Sequence, residues 1–496
     1  MNRSNEDLFE ESITAGSDFL QLNVEDAPVG GLSEWLAERF RWAIRDGLLS
    51  VGSRLPASRV LARDLHVSRG VVTEAYQRLS EEGYVAGRGR GGTIVVGAPG
   101  RTPPARPRSA PAGATATDAV FTASPGVEVF DSLRAAAARI DLSPGVPDLA
   151  AFPRAAWLRA ERSLLADLGS SALGYGDPRG CPALRVAVAN WLARNRGILA
   201  DPADVIITAG TAQALGLFAE VLVEAGIREV AVEDPGSLGA RQHLHNRRLA
   251  TPPVPVDADG IDVGTLRATG APAVLLTPAH QFPTGVVLGG DRRRELMRWV
   301  DDGGLIIEDD YDAEHRYDRP PVPALRSPLG ERVCYAGSVS KLLAPALRIG
   351  WCLAPPRYRD AVVAAKRFAD LGNAALPQLV LARLMESGEM ERHLRLLRRR
   401  HRRRRDAMID AIGAHLPDAT VHGAAAGLHL TITFDAGFSD VDLAAALLAH
   451  GVKVQPLSWH RQCPGRPGLV LGYAASVPTA IGEGVAVIGE ALRRVR

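Results

Sequence analysis

Cysteine is scarce: the 496 residues contain four, Cys181, Cys334, Cys352 and Cys463, with no C-x-x-C pair among them. That scatter excludes a zinc ribbon and a disulfide framework and suits a reduced, cytoplasmic setting. Long apolar runs are missing as well; none reaches the ~18 residues that a membrane-spanning helix needs. The opening "MNRSNEDLFEESITAG" lacks a basic start followed by an apolar core, so neither secretion nor membrane insertion is expected. Net charge is close to absent, +2, but it is unevenly spread. Residues 1–31 carry one Arg against seven acids, and residues 32–97 carry ten Arg against seven acids. An acidic tail followed by a mildly basic segment is expected. Internal repeats are lacking too.

Apolar material, by contrast, is ample. At 46% hydrophobic residues the chain can build two to four domains of about 150 residues each. In residues 32–97, Leu32, Trp35, Leu36, Phe40 and Ile44 recur at helical spacing, and Gly47 can close that helix. Pro56, Ala57 and Ser58 open a second short helix through Leu65. Val67 and Ser68 turn into a third, ending near Gly83. "YVAGRGRGGTIVV" then reads as two short strands around a Gly/Arg loop. Three helices and a two-stranded wing make a winged helix-turn-helix. Ser68 caps the third helix and Arg69 lies in its first turn, where such helices reach base edges. A winged helix used only for protein contacts is the competing reading, but basic residues on both the third helix and the wing favour DNA. The segment "LPASRVLARDLHVSRGVVTEAYQRLSEEGYV" with the wing "GGT" resembles the GntR family of transcription regulators. That resemblance implies DNA contacts by Arg59, Ser68 and Arg69, and Arg88 and Arg90 of the wing can add phosphate or minor-groove contacts.

Residues 98–118, "APGRTPPARPRSAPAGATATD", are rich in Pro, Ala, Gly and Arg and read as a solvated tether. Beyond them, apolar runs such as "DVIITAG", "EVAVEDP", "AVLLTPAH", "GLIIEDD" and "RVCYAGSVSK" alternate with helical stretches. This pattern predicts a mostly parallel α/β sheet covered on both faces, with sites at the carboxyl ends of its strands. At those ends stand "GTAQAL" (210–215), "HQFPTG" (280–285), "EDDYD" (308–312) and "GSVSKLLAPALRIGW" (337–351). A helix start at Gly210, Thr211 and Ala212 offers free N–H groups to an anion. Ser338 and Ser340 add hydroxyls and Arg348 a bidentate guanidinium, so a phosphate is suited. Lys341 is placed to condense with an aldehyde. Asp309 can hold a pyridine nitrogen protonated, and Tyr311 can hydrogen-bond a ring oxygen. A phosphate, an aldehyde and a pyridine together describe pyridoxal 5'-phosphate. The bland alternative is a snorkelling lysine at a helix start, with the serines as caps and Asp309 as an ordinary turn residue.

From about residue 130 to 496 the chain resembles the fold-type I aminotransferases. Joined to a GntR-like front, it resembles the MocR/GabR group of regulators. The resemblance implies a smaller C-terminal α+β subdomain from about residue 385, within an aminotransferase-like domain spanning 119–496. It also implies Lys341 as the Schiff-base lysine, Asp309 and Tyr311 as ring partners, and Ser338, Ser340 and Arg348 as phosphate ligands. Tyr175 in "YGDPRG" matches a tyrosine that reaches the phosphate of a partner subunit, implying a homodimer. Phe282 stands where many relatives have Asn, so one polar contact to the cofactor ring is lost or supplied by Gln281; Ser237 stands near a common aromatic position. Val470 occupies a place where an Arg often binds substrate carboxylate, with Arg461 and Arg466 as substitutes. The expected role is a DNA-binding regulator that senses an amine, an amino acid or pyridoxal phosphate by aldimine formation. The alternative is a working aminotransferase with a DNA-binding appendage. Finally, "RHLRLLRRRHRRRR" (392–405) holds nine arginines, read as a basic helix whose leucines Leu394, Leu396 and Leu397 pack while most arginines face solvent or acidic partners, with an auxiliary nucleic-acid contact as the sharper reading.

Overall fold

The computed structural model describes residues 30–46, 48–87, 92–97, 120–122, 124–317, 322–435 and 437–495, with residues 22, 24, 27 and 28. Gly47, Arg88, Arg90, most of the acidic tail and the whole 98–118 tether lie outside the described residues. The chain divides into two compact units, Met1–Ala114 and Thr115–Arg496.

In the first unit, α1 (Leu32–Arg45), α2 (Ser58–Asp64) and α3 (Arg69–Glu81) are followed by the antiparallel pair β1 (Val85–Gly87) and β2 (Thr93–Val95). Leu36, Phe40 and Ile44 on α1 meet Leu61 of α2, and Val72 and Leu79 of α3. Burying each such side chain contributes about 1.5–3 kcal/mol, which orders helices too short to persist alone. The hydroxyl of Tyr76 donates to the carbonyl of Pro56 at 2.9 Å and ties α3 to the start of α2. Gly83, at φ +78°, takes the left-handed turn that follows α3.

The second unit is built on an eight-stranded sheet. Its strands are β3 (Ile206–Thr208), β4 (Ala231–Asp234), β5 (Pro253–Asp257), β6 (Gly260–Ile261), β7 (Ala273–Leu276), β8 (Leu305–Asp310), β9 (Val333–Ser338) and β10 (Gly350–Leu353). Their spatial order is β3-β10-β9-β8-β7-β4-β5-β6. The run from β9 to β5 is parallel, and β10 is antiparallel to both its neighbours. Neighbouring residues serve opposite faces. Ile307 packs with Leu215 and Phe218 of α4 (Thr211–Glu224), whereas Ile306 packs with Leu296 and Trp299 of α6 (Gly290–Asp301). Burial on both faces is why these strands read as continuous apolar runs rather than alternating ones. Helix α5 (Leu238–Asn246) follows β4, capped by the Ser237 hydroxyl, which accepts from the Ala240 N–H at 3.2 Å.

The C-terminal portion carries an antiparallel sheet of β11 (Ala419–His422), β12 (His429–Phe434), β13 (Gln455–Pro456) and β14 (Gly468–Gly472), in the order β11-β12-β14-β13. Helices α7 (Glu389–His415) and α8 (Pro478–Val495) pack on one another beside it, sharing a core of Met408, Ile412, Leu430, Ile432, Leu471 and Ile488. Leu133, Ile140 and Leu142 join that core although they precede the large sheet in the chain.

The arginine run lies on α7 with Leu394 and Leu397 buried, and part of it turns to an acidic partner: Arg400 and Arg404 are buried, both facing Asp148, with Arg404 at 2.9 Å. Arg398 donates to the Glu314 carbonyl at 2.8 Å and Arg405 to that of Ala424 at 3.0 Å. Only Arg392, Arg395, Arg399 and Arg402 are exposed. Among the described residues, no helix is long and apolar enough to cross a membrane.

Candidate functional site

In the front unit, Arg59, Ser68 and Arg69 are all exposed, on or beside α2 and α3. The Ser68 hydroxyl accepts from the Val71 N–H at 3.4 Å, and Arg69 Nε lies 3.4 Å from the Ser58 hydroxyl. Among the described residues, the guanidinium at the start of α3 has no carboxylate partner. Glu34 and Glu74 hold Arg78, and Glu82 holds Arg41.

In the second unit, four expected strand ends converge. The acidic run "EDDYD" is instructive because three of its four carboxylates are occupied. Glu308 accepts the N–H groups of Leu325 and Arg326, each at 2.9 Å. Asp310 accepts from Arg196 at 2.6 Å and from Tyr335. Asp312 accepts from His280 at 2.9 Å. One oxygen of Asp309 has no hydrogen-bond partner at all. Burial and the neighbouring Asp310 and Asp312 carboxylates push the Asp309 carboxyl up to about 7, against the pull of Lys341. A buried polar atom without a partner is rare enough to require a reason.

Asp309 is opposite Ala336 in the β8–β9 pairing, and Lys341 follows three residues after β9 ends. The Lys341 amine donates to the carbonyl of Gly145. Gly145 is at φ +79°, and a Cβ there would lie 3.3 Å from Nζ, so the glycine lets the backbone approach the amine. Burial lowers the proton affinity of Lys341, with Asp312 and Asp309 opposing.

Ser338 is buried at the end of β9, and its hydroxyl accepts from the Ser340 N–H at 3.3 Å. Arg348 donates to the Ala209 carbonyl and stands over the start of α4; a Cβ on Gly210 would lie 3.5 Å from Nη1. Thr211 and Ala212 form the first turn of that helix. Lys341, Asp309, Tyr311, Ser338, Ser340, Arg348, Thr211 and Ala212 are thus gathered at the carboxyl ends of β3, β8 and β9. Tyr175 is not: its side chain is 98% exposed within one chain.

Two of the expected substitutes have partners already. Gln281 donates to the carbonyls of Pro235 and Phe282 and accepts from Thr284. Arg466 pairs with Asp435 at 3.1 Å at the surface. Arg461 keeps a buried Nε without a partner. Residues outside the sequence-based expectation also line the site. Glu233, Ser237, Arg241, Thr277 and Asp309 share one cleft. Arg241 donates to the Trp459 carbonyl at 2.9 Å while its Nε is buried and unpartnered. Beside Tyr311, His280, Asp312 and His429 bring ligand atoms within 4.8 Å of one another, a grouping able to hold a metal ion. "HQFPTG" and "EDDYD" hinted at His280 and Asp312, but neither motif says that its His meets the third Asp of the other, and no motif pointed to His429.

Residues 32–95 match the family of bacterial regulatory proteins, gntR family, and residues 138–468 match aminotransferase class I and II. The chain is 33% identical over 460 residues to the probable rhizopine catabolism regulatory protein MocR of Rhizobium meliloti, covering 91% of each. It is 31% identical to the pyridoxine biosynthesis transcriptional regulator PdxR of Corynebacterium glutamicum, covering 89% of this chain and 91% of that one. The second unit is similar to LysN, an α-aminoadipate aminotransferase of Thermus thermophilus solved with N-(5'-phosphopyridoxyl)-L-leucine. There the TM-score is 0.68 and identity 26%, covering 76% of this chain and 97% of that one.

Proposed function

The chain belongs to the MocR/GabR-type regulators, GntR-family DNA-binding proteins with an aminotransferase-like domain, and from that premise we propose how it senses its signal. It is a transcription regulator whose large domain takes pyridoxal 5'-phosphate as cofactor and answers to a small amine, an amino acid or the cofactor itself. The observation that carries this reading is the unpartnered Asp309 oxygen beside Lys341. The donor set fits the group. Asp309 meets the pyridine nitrogen, and Tyr311 the ring oxygen. Ser338, Ser340, Arg348 and the first turn of α4 meet the phosphate. When bound, the cofactor supplies an aldehyde carbon that takes up a primary amine.

What this chain does is bind, orient and release. Burial lowers the proton affinity of the Lys341 amine, against the pull of Asp312 and Asp309, which favours its nucleophilic form, and its contact is with a carbonyl rather than a carboxylate. Lys341 would hold the aldehyde carbon of the cofactor, whose chemistry would let a primary amine take the lysine's place and leave Nζ as a free amine. The large domain then has two states that can bias how the winged helices meet DNA. Arg241, with a free Nε in the Asp309 cleft, supports an effector that carries an anionic group as well as its amine. Tyr175 supports a homodimer, since a tyrosine so exposed beside other exposed apolar residues, Leu173 at 69%, Phe368 at 87% and Leu371 at 61%, is suited to a partner subunit.

The test is a spectral screen of the loaded protein against amino acids and their decarboxylated amines, paired with a band-shift assay on its own upstream region. A visible band that changes stoichiometrically with one amine and alters DNA affinity is the expected result. Sustained oxo-acid production with a second acceptor would instead favour a working aminotransferase. No band, or no salt-sensitive shift, would count against the reading.

A further inference from the structure

The cofactor reading assigns Tyr311 but leaves unexplained the group that holds it. Phe282 puts a hydrocarbon edge where a polar contact to the ring oxygen was expected, its ring 6.2 Å from that of Tyr311 at 87°. Nδ1 of His280 lies 3.0 Å from the Tyr311 oxygen and 2.9 Å from Oδ2 of Asp312, a carboxylate that also faces the phenol. His280 and Asp312 are both buried.

The hydrogen position follows from chemistry. The Asp312 carboxylate oxygen stands 2.9 Å from Nδ1 and has no hydrogen to offer it. An acceptor at 2.9 Å requires the hydrogen to sit on Nδ1. The Tyr311 oxygen, facing the same N–H, accepts from it and cannot donate into it. The other ring nitrogen, Nε2, has no partner. It is boxed by two glycines: a Cβ on Gly427 would come within 1.8 Å of the ring, and one on Gly285 within 3.0 Å of Nε2. A second proton there would be a buried donor with no acceptor, which costs free energy. The ring therefore has one tautomer and one orientation. The groups facing Tyr311 are His280, Asp312, Asp309 and Glu233; those facing His280 are Asp312, His429 and Tyr311.

Resting on the cofactor reading, we propose that His280 is a positioning residue. Its Nδ1–H, aimed by Asp312, pins the Tyr311 oxygen as an acceptor, leaving the phenol O–H to be donated to the ring oxygen of the bound pyridine. The pair replaces, from behind the tyrosine, the polar contact that Phe282 cannot make.

A donor on the ring oxygen stabilises its negative charge, so losing that donor raises the proton affinity of the neighbouring nitrogen–oxygen pair. The readout is the pH midpoint at which the visible band of the full-length, pyridoxal phosphate-loaded protein changes form. Tyr311→Phe is expected to raise it by about one pH unit and His280→Ala by roughly half of that, with Asp312→Asn moving it the same way. In the double variant Tyr311→Phe with His280→Ala, the shift should equal that of Tyr311→Phe alone, because His280 acts through the phenol. If His280→Ala fails to fold by its melting curve, His280→Gln, which keeps an N–H donor, carries the comparison with a smaller shift. An unmoved midpoint, or additive shifts in the double variant, overturns the inference while leaving the cofactor reading intact. So does a stoichiometric metal in the purified protein that is lost in His280→Ala, since a metal-bound Nδ1 has no hydrogen to give. Absence of any visible band in the wild type overturns both.

Discussion

The amine of Lys341 donates to the backbone carbonyl of Gly145, 196 positions earlier in the chain, and not to either nearby carboxylate. A carbonyl holds an amine more weakly than a carboxylate does and leaves its charge state adjustable. Lys341→Ala should therefore fold, with a melting temperature within a few degrees of wild type, yet show no visible band after incubation with pyridoxal phosphate. A band of wild-type intensity in that variant would remove Lys341 from its role.

Asp309 gives a pH dependence whose sign can be stated. Its carboxyl, pushed up to about 7, still holds its proton where the unfolded acid has lost it. Relative to Asp309→Asn, the ligand-free protein should thus lose stability as pH rises from about 4 to about 7. A pyridine nitrogen docking on Asp309 shares one proton with it, so affinity for pyridoxine 5'-phosphate, which lacks the aldehyde, should fall by up to about tenfold per pH unit once both the Asp309 carboxyl and the free ligand's ring nitrogen have lost theirs. Calorimetry that finds the same slope in Asp309→Asn would refute this.

Arg69→Ala should abolish specific DNA binding and leave the visible band intact. One base contact of this kind is worth about 1–3 kcal/mol, and a dimer would use two. A band-shift titration against specific and scrambled DNA measures it; a variant that also loses the cofactor band would show that the two activities are not separable.

Tyr175→Phe should weaken cofactor retention without destabilising the fold, since a side chain 98% exposed in one chain loses only its hydroxyl. The loss expected for a hydrogen bond to a charged group is about 1.5–3 kcal/mol. Sedimentation that finds a monomer binding pyridoxal phosphate tightly would sink the cross-subunit role.

Asp148 accepts from Arg404 at 2.9 Å, both side chains being 2% exposed, with Arg400 also facing it. Asp148→Ala strands buried cationic charge and should cost about 3–5 kcal/mol, read as a drop in the denaturant midpoint. Charge reversal at the exposed Arg395 or Arg399 should be nearly silent, because solvent already screens them.

The sequence by itself determined the order of elements and the residues at the strand ends. Ser68 before α3, Gly210 before α4, and Asp309 and Lys341 at the ends of "GLIIEDD" and "RVCYAGSVSK" are local signals: a cap, a turn and an apolar run that must be buried on both faces. Only the tertiary structure decided which polar groups meet. His280 finds Asp312 and Tyr311, Arg241 enters the Asp309 cleft, Gln281 turns back on its own loop, and Leu133 and Ile140 join the C-terminal core. Helical periodicity gave the arginine run a face toward solvent or acidic partners without naming the partner; Asp148, more than 250 positions away, turns two of its arginines inward. Periodicity and capping act over a few residues, whereas a buried charge is settled only by whichever partner the closed fold delivers to it.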